Sequence, residues 1–155
     1  MNYRVESYIH KLDNLFALAE TINDDEVKGH FAKYLCVKTS GLLEVFFKSK
    51  IAELVDKKTP APVANYVNYQ FKIFSSIDTR KIQKTFSLFS QDWVDEFNAK
   101  MSEEYTSALN SIISNRNNIA HGQNDSISLR TAKEYYDKMK DIMNILEEIM
   151  DKKRK

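Results

Sequence analysis

Apolar residues recur at three- and four-residue steps from Val5 to Met150, and almost nothing breaks the rhythm. That spacing is the mark of helices with one greasy face, because about 3.6 residues complete a turn. The chain of 155 residues holds 3 glycines and 2 prolines, where average usage, roughly 12% combined, would bring about 19. Sandwiches and barrels are built from many short strands and need many turns, so this scarcity argues against both. Hydrophobic residues make up 43% and charged residues 29%, enough for a real core and without a bias towards disorder. The length fits one domain spanning residues 1–155, since domains run to about 100–200 residues. The expected fold is all-α, a compact up-and-down helical bundle of about five to seven helices.

The stripes can be followed along the chain. Val5, Tyr8, Ile9, Leu12, Leu15, Phe16, Ala19 and Ile22 lie on one side of a first helix. Asn23 followed by Glu26 resembles a capping box for a second helix, with Asp24 and Asp25 at its positive start. That helix carries Val27, Phe31, Tyr34, Leu35, Leu42, Leu43, Phe46, Ile51 and Leu54, with a bend expected near Gly41 and an end at Lys57 and Lys58. Thr59-Pro60 reads as a cap with proline at the first helical position, opening a third helix that buries Val63, Tyr66, Val67 and Phe74. Short helical segments follow around Ile82, Phe86 and Phe89, and around Trp93, Val94 and Phe97. Ser102 opens the next helix, which runs to about His121, where Gly122 supplies a left-handed stop. Ser128 caps a last helix whose stripe is Leu129, Ala132, Tyr136, Met139, Met143, Leu146, Ile149 and Met150.

Composition removes several functional classes. Gly29, Gly41 and Gly122 lie too far apart to form a phosphate-cradling loop. The net charge of +1 is too small for long non-specific contact with duplex DNA. Cys36 is the single cysteine, so no intramolecular disulfide forms, and its place in a helical run predicts a buried thiol. His10, His30 and His121 show no metal-ligand spacing, so no metal and no cofactor are expected. No apolar run approaches the ~18 residues of a membrane span, and Met1 to His10 lacks the apolar core of a signal peptide. These features predict a soluble cytoplasmic protein that makes no membrane contact.

The informative stretch is Arg116-Asn117-Asn118-Ile119-Ala120-His121-Gly122. With Leu109 as the zero direction on its helix, Tyr105, Ile112, Ile113 and Ala120 fall within about 60° on either side, and Arg116 roughly 20° from it. A permanent charge in the middle of an apolar face must be paired, solvated in a cleft, or used. Asn117 and His121 are four apart and share a flank of the stripe. Arg116 and His121 stand about 140° apart on an ideal helix. They converge only if the helix does not stay regular, and Gly122 predicts a last turn that loosens and lets the His121 imidazole swing towards Arg116. An arginine that grips phosphate oxygens and an imidazole that exchanges protons near neutral pH together suit a phosphodiester.

The string RNNIAHG, near the end of the penultimate helix of a small all-α chain, resembles the HEPN superfamily. It is most similar to stand-alone prokaryotic proteins of the RiboL-PSP-HEPN type, where an RN-x-x-AHG string is typical. The resemblance implies a metal-independent endoribonuclease of the kind found in toxin–antitoxin and phage-defence systems. It also implies a homodimer in which two such motifs face each other. His121 would then exchange the proton of a ribose 2′-hydroxyl, Arg116 would hold the charge on the phosphate oxygens, and Asn117 would orient either the imidazole or the phosphate. RNA would be the substrate, and an antitoxin or defence-system protein a possible partner. Other members of the superfamily have lost catalysis and serve as modules that bind RNA, nucleotide or a nucleotidyltransferase-type partner. A plain helical adaptor is the third reading, and under it Arg116 and His121 are dispensable.

Supporting residues are fewer. Glu44, set among leucines and phenylalanines, is either a buried partner for Arg116 or a boundary glutamate reaching water. Asn118 either lines the site or faces water. Tyr135 and Tyr136 lie near Lys133 and Lys138 and could stack RNA bases, although the spacing of Tyr136 assigns it to the core. The tail Asp151-Lys152-Lys153-Arg154-Lys155 could touch a phosphate backbone or stay solvated.

Overall fold

A computed structural model describes residues 2–123 and 126–152. Among the described residues there are seven helices and no strand: α1 (Tyr3–Glu20), α2 (Asp25–Lys58), α3 (Ala61–Lys72), α4 (Thr79–Phe89), α5 (Gln91–Lys100), α6 (Glu103–Ala120) and α7 (Leu129–Asp151). The predicted all-α bundle is what forms. Among the described residues no helix is long and apolar enough to cross a membrane.

Local chemistry sets the helix starts. Ser102 accepts the Tyr105 N–H at 3.2 Å and Ser128 accepts the Thr131 N–H at 3.0 Å, each satisfying an amide that the helix itself leaves unpaired. The second helix is capped one residue later than the Asn23 box predicts: Asp24 accepts the Val27 N–H at 2.9 Å. Asp24 brings an ionised carboxylate to the positive end of the helix dipole, which the neutral Asn23 amide lacks. Pro60 is likewise the cap residue of α3 and not its first helical position, with Pro62 inside the first turn. The Lys57-Lys58 end of α2 holds as expected, and α2 runs unbroken through Gly41. A Cβ at Gly41 would stand 3.0 Å from the Tyr8 hydroxyl, so glycine lets α1 lie close.

Side-chain contacts fix the directions of the helices. Tyr136 stacks on Phe16 at 4.9 Å and donates to Asp13 at 2.8 Å, while Lys140 reaches the same Asp13, so α7 runs antiparallel to α1. Burial and the Asp13 carboxylate push the Tyr136 phenol far above its ordinary range, and it stays a donor. Tyr136 is fully buried, in agreement with its place in the apolar stripe. Lys138 pairs with Glu104 and Tyr105 donates to Asp141, which seats the start of α6 on the middle of α7. The Cys36 thiol, buried as predicted, donates to the Ile112 carbonyl at 4.0 Å and locks α2 against α6.

The long α2 is the spine, touching α1, α3, α6 and α7. Its apolar residues point in every direction because its middle is enclosed on nearly all sides. Lys50 is buried between α2 and the end of α7, where Asp151 accepts from it at 2.6 Å and Glu147 at 3.3 Å. Burial opposes its charge, but the two carboxylates outweigh burial and raise its pKa. Asp151 and Lys152 are therefore engaged, Lys152 with Glu96 at 2.6 Å. The rest of the basic tail, residues 153–155, lies outside the described residues.

Several apolar residues expected inside are outside. Val27 and Tyr34 on α2 are 48% and 44% exposed, and Val63 and Tyr66 on α3 are 47% and 66% exposed. Among the described residues α3 packs only on α2, with Ala64 as its buried contact, so its outer face meets nothing, and the first half of α2 keeps Val27 and Tyr34 uncovered while it buries Ala32, Leu35 and Cys36.

Candidate functional site

Helix α6 buries Ala108, Leu109, Ile112 and Ile113 against α2 and α7. One turn beyond, the same face carries Arg116, which is half-buried, and then Ala120, which is exposed where the sequence stripe assigns it to the apolar face. The bundle runs out before the stripe does. A guanidinium at that margin keeps its aliphatic stem against the core while its head reaches solvent, so its charge costs little.

The Arg116 Nη1 donates to the Asn117 Oδ1 at 3.1 Å. Asn117 and Asn118 are both half-buried. The helix then closes tightly. The His121 N–H still reaches the Asn117 carbonyl at 3.0 Å, the Gly122 N–H reaches Ile119 at 3.2 Å, and the Gln123 N–H reaches Asn118 at 2.9 Å. Gly122 sits at φ +64°, the left-handed conformation that this pair of reversed bonds requires. The glycine stop is thus where the sequence places it.

The expected loosening is not. Because His121 retains its helical hydrogen bond, α6 stays regular to that residue, and Arg116 and His121 remain about 140° apart around one helix. The regular α-turn is satisfied by the closing motif, so nothing drives it open before Gly122. His121 is exposed, and Asn117, four residues earlier, shares its flank. One chain therefore presents an arginine–asparagine pair on the inner side of the flank and an imidazole on the outer side.

Glu44 is engaged elsewhere. Its Oε1 accepts the Ser76 N–H at 2.8 Å, holding a residue at φ 50° in the turn after α3. It also borders a groove of about 730 Å³ between α1, α2 and α3, with Arg4, Tyr8, Lys48, Phe71 and Lys72 around it. Among the described residues it makes no ion pair with Arg116. The signal for this role was the turn at Ser75-Ser76, whose left-handed residue needs an anchor. Among the described residues no three His, Cys, Asp or Glu side chains gather in a metal-binding cluster.

No curated protein and no solved structure is similar enough to be matched. A family comparison is decisive by itself. The RiboL-PSP-HEPN description fits residues 3–152, from the first turn of α1 to the end of α7. The helical order, the arginine at the end of the α6 stripe and the glycine-closed histidine all fall within that span. The chain belongs to the RiboL-PSP-HEPN family.

Proposed function

We propose that this protein is a metal-independent endoribonuclease that acts as a homodimer, with a role as a toxin or phage-defence effector. Family membership supports an RNA-acting module. The observation that carries the catalytic reading is the half-buried Arg116 at the end of an apolar stripe, tied to Asn117 beside an exposed His121.

The chemistry follows from these groups. The imidazole of one His121 takes the proton of a ribose 2′-hydroxyl as its oxygen attacks the adjacent phosphorus. The bond from phosphorus to the 5′-oxygen breaks, and the leaving oxygen is protonated by the imidazole of the second copy. The products are a 2′,3′-cyclic phosphate and a 5′-hydroxyl. Proton transfer of this kind contributes about 10²–10⁴ in rate. The Arg116 guanidinium offers fixed donors to the charge growing on the non-bridging oxygens. Asn117 accepts from Arg116 through Oδ1, which holds the fork of donors in place. Since DNA lacks the attacking hydroxyl, RNA is the substrate.

The test is cleavage of RNA by purified protein in the presence of chelator, with His121→Ala as the comparison. The wild type should cut and leave cyclic phosphate ends. The variant should be slower by at least about 100-fold while remaining folded. Equal cutting by both, or a product with a free 3′-hydroxyl, removes this mechanism.

A further inference from the structure

The charges of α1 are sorted to opposite flanks. Glu6, Asp13 and Glu20 follow one another at seven-residue steps, close to two turns each, and so lie along one line. Arg4 and Lys11 keep the same step on a second line, about 140–160° round the helix from Glu6. The acidic line turns to α7, where Asp13 accepts from Tyr136 at 2.8 Å and meets Lys140. The basic line turns to α2 and borders two open grooves. One of about 520 Å³ runs between α1 and α2 past Lys11, Leu15, Tyr34 and Lys38. The groove of about 730 Å³ that Glu44 borders begins at Tyr8, which lines both, and takes in Arg4, Lys48 and Lys72. Together they form one track along α2 from Tyr34 to Lys48, about 20 Å long at 1.5 Å per residue. Beyond Lys48 the wall turns acidic with Glu53 and Asp56, and the track ends.

Five cations stand along the track, and among the described residues none of them pairs with a carboxylate. Arg4 and Lys11 make no hydrogen bond or ion pair among those residues. Lys38 lies over the rings of Tyr8 and Tyr34, 5.9 and 5.5 Å from their centroids. Lys48 donates to the Lys72 carbonyl at 3.1 Å, and Lys72 lies over the ring of Tyr69. The acids nearby are already engaged: Glu44 accepts from Ser76, Glu53 from Lys57 and Asp56 from Asn68. On α7, by contrast, Lys133, Lys138 and Lys140 are neutralised by Asp137 and Glu104. Uncompensated positive charge gathered in a groove is the footprint of a polyanion. Two features select which one. Tyr34 is 44% exposed and Tyr8 half-buried, and the position of Lys38 shows that both ring faces open on the track. Such faces stack nucleic-acid bases of any sequence, and an acidic peptide has no flat group to lay on them. The axes of packed helices lie about 8–10 Å apart, so the groove between α1 and α2 admits one strand and excludes a duplex.

We propose that this track holds single-stranded RNA at a distance from the bond that is cut, with Arg4, Lys11, Lys38, Lys48 and Lys72 on phosphates and Tyr8 and Tyr34 against bases. The assignment rests on the ribonuclease reading, which supplies the strand. The track is separate from the motif. Cys36 faces Ile112 on α6, and Tyr34 and Lys38, two residues to either side of it, stand about 160° round α2. The track therefore lies on the far side of α2 from α6, one helix diameter or about 10 Å away, and no residue from Arg116 to Gly122 lines it.

The test is binding of a fluorescent single-stranded RNA whose 2′-hydroxyls are methylated, so that the attacking group is blocked and the wild-type protein can be used. A variant carrying both Lys11→Gln and Lys38→Gln should bind more weakly at low salt. The slope of log Kd against log salt should fall by about 1.4, since each phosphate contact on a single strand contributes about 0.7. Tyr34→Ala should weaken binding by at least about 5-fold at an unchanged slope, through the loss of one stacked base. Arg130→Gln, which removes an exposed cation on α7, should change neither. On cleavable RNA the track variants should raise KM and leave kcat unchanged, because Arg116 and His121 are untouched. Helical circular dichroism should be the same for all these proteins. A double variant with the wild-type Kd and slope overturns the proposal, as does a wild type that binds no single strand. If Tyr34→Ala binds the strand as the wild type does and a polyglutamate peptide displaces it, the track belongs to an acidic protein segment and the RNA assignment falls. Cleavage separates the track from the reading beneath it. If the track variants lose the methylated strand while the wild type cuts no RNA, the track stands and the nuclease falls. If the wild type cuts RNA and the track variants match its KM, the nuclease stands and the track falls.

Discussion

The two ends of the bundle are built on opposite principles. At the end where α3, α4 and α5 gather, aromatic rings fill the space: Phe47 stacks on Phe74 at 5.6 Å and on Phe86 at 6.0 Å, and Phe86 meets Phe97 and Trp93 edge-on. At the other end the stripe of α6 passes from Ile112 and Ile113 to Arg116, and one face of the first half of α2 turns Val27, Tyr34 and Val37 outward. The first end spends its apolar surface on itself. The second leaves polar and apolar groups unspent, and such a surplus in a folded chain marks a place of use.

The largest way to test this contrast is at the closed end. Phe47 is fully buried and touches three other rings, so Phe47→Ala leaves a cavity in the aromatic cluster. The expected loss is about 3–5 kcal/mol of stability, read from the urea midpoint. A loss below about 1 kcal/mol would mean that the cluster collapses to fill the void, and that this end is no better packed than the other.

An intermediate effect is expected at the glycine that closes α6. Gly122 has φ +64° and free space around it, so the side chain of Gly122→Ala meets no neighbour and the cost is in the backbone alone. That cost is about 1–2 kcal/mol for a left-handed residue with a Cβ, and thermal unfolding should show it. Gly122→Asn should recover most of it, because asparagine visits this conformation. Cleavage should fall in the alanine variant by more than its stability predicts, since relaxing the stop shifts His121. Equal melting of the alanine variant and the wild type would show that the closing motif is not what holds the histidine.

How much of this was legible in the sequence depends on range. The caps at Ser102 and Ser128 and the stop at Gly122 are local chemistry, and they appear where the residues put them. The core of α7 follows one uninterrupted period and was readable from Ala132 to Met150. What could not be read was which faces find a partner. Tyr66 and Val63 sit at helical spacing with Val67, yet α3 is too short and too peripheral to be covered twice. Val27 and Tyr34 carry the right period on a helix whose neighbour stops half-way along it. The greasy surroundings of Glu44 left open a partner for Arg116 or a boundary glutamate, and its role as the anchor for Ser76 depends on a contact 32 residues away. Periodicity gives the apolar face of a helix and says nothing of what lies against it.

The smallest effect on stability discriminates most sharply between the ends. Ile112 and Arg116 stand one turn apart on the same face of α6, the first fully buried and the second half-buried at the margin. Ile112→Ala should cost about 2–5 kcal/mol. Arg116→Met keeps the unbranched stem and removes only the charge and its bond to Asn117. This half-buried bond has a charged donor, but it joins two neighbours on one helix and water can replace it at the margin, so its net worth is about 1 kcal/mol, and the thioether gains contact with the end of the stripe. The variant should therefore melt within about 0.5 kcal/mol of the wild type, or slightly above it, while losing RNA cleavage. A residue that is dispensable to the fold yet placed on its apolar face is held there by function. If Arg116→Met instead loses more than about 1 kcal/mol, the guanidinium is a structural clasp between α6 and its own Asn117, and the contrast between the two ends disappears.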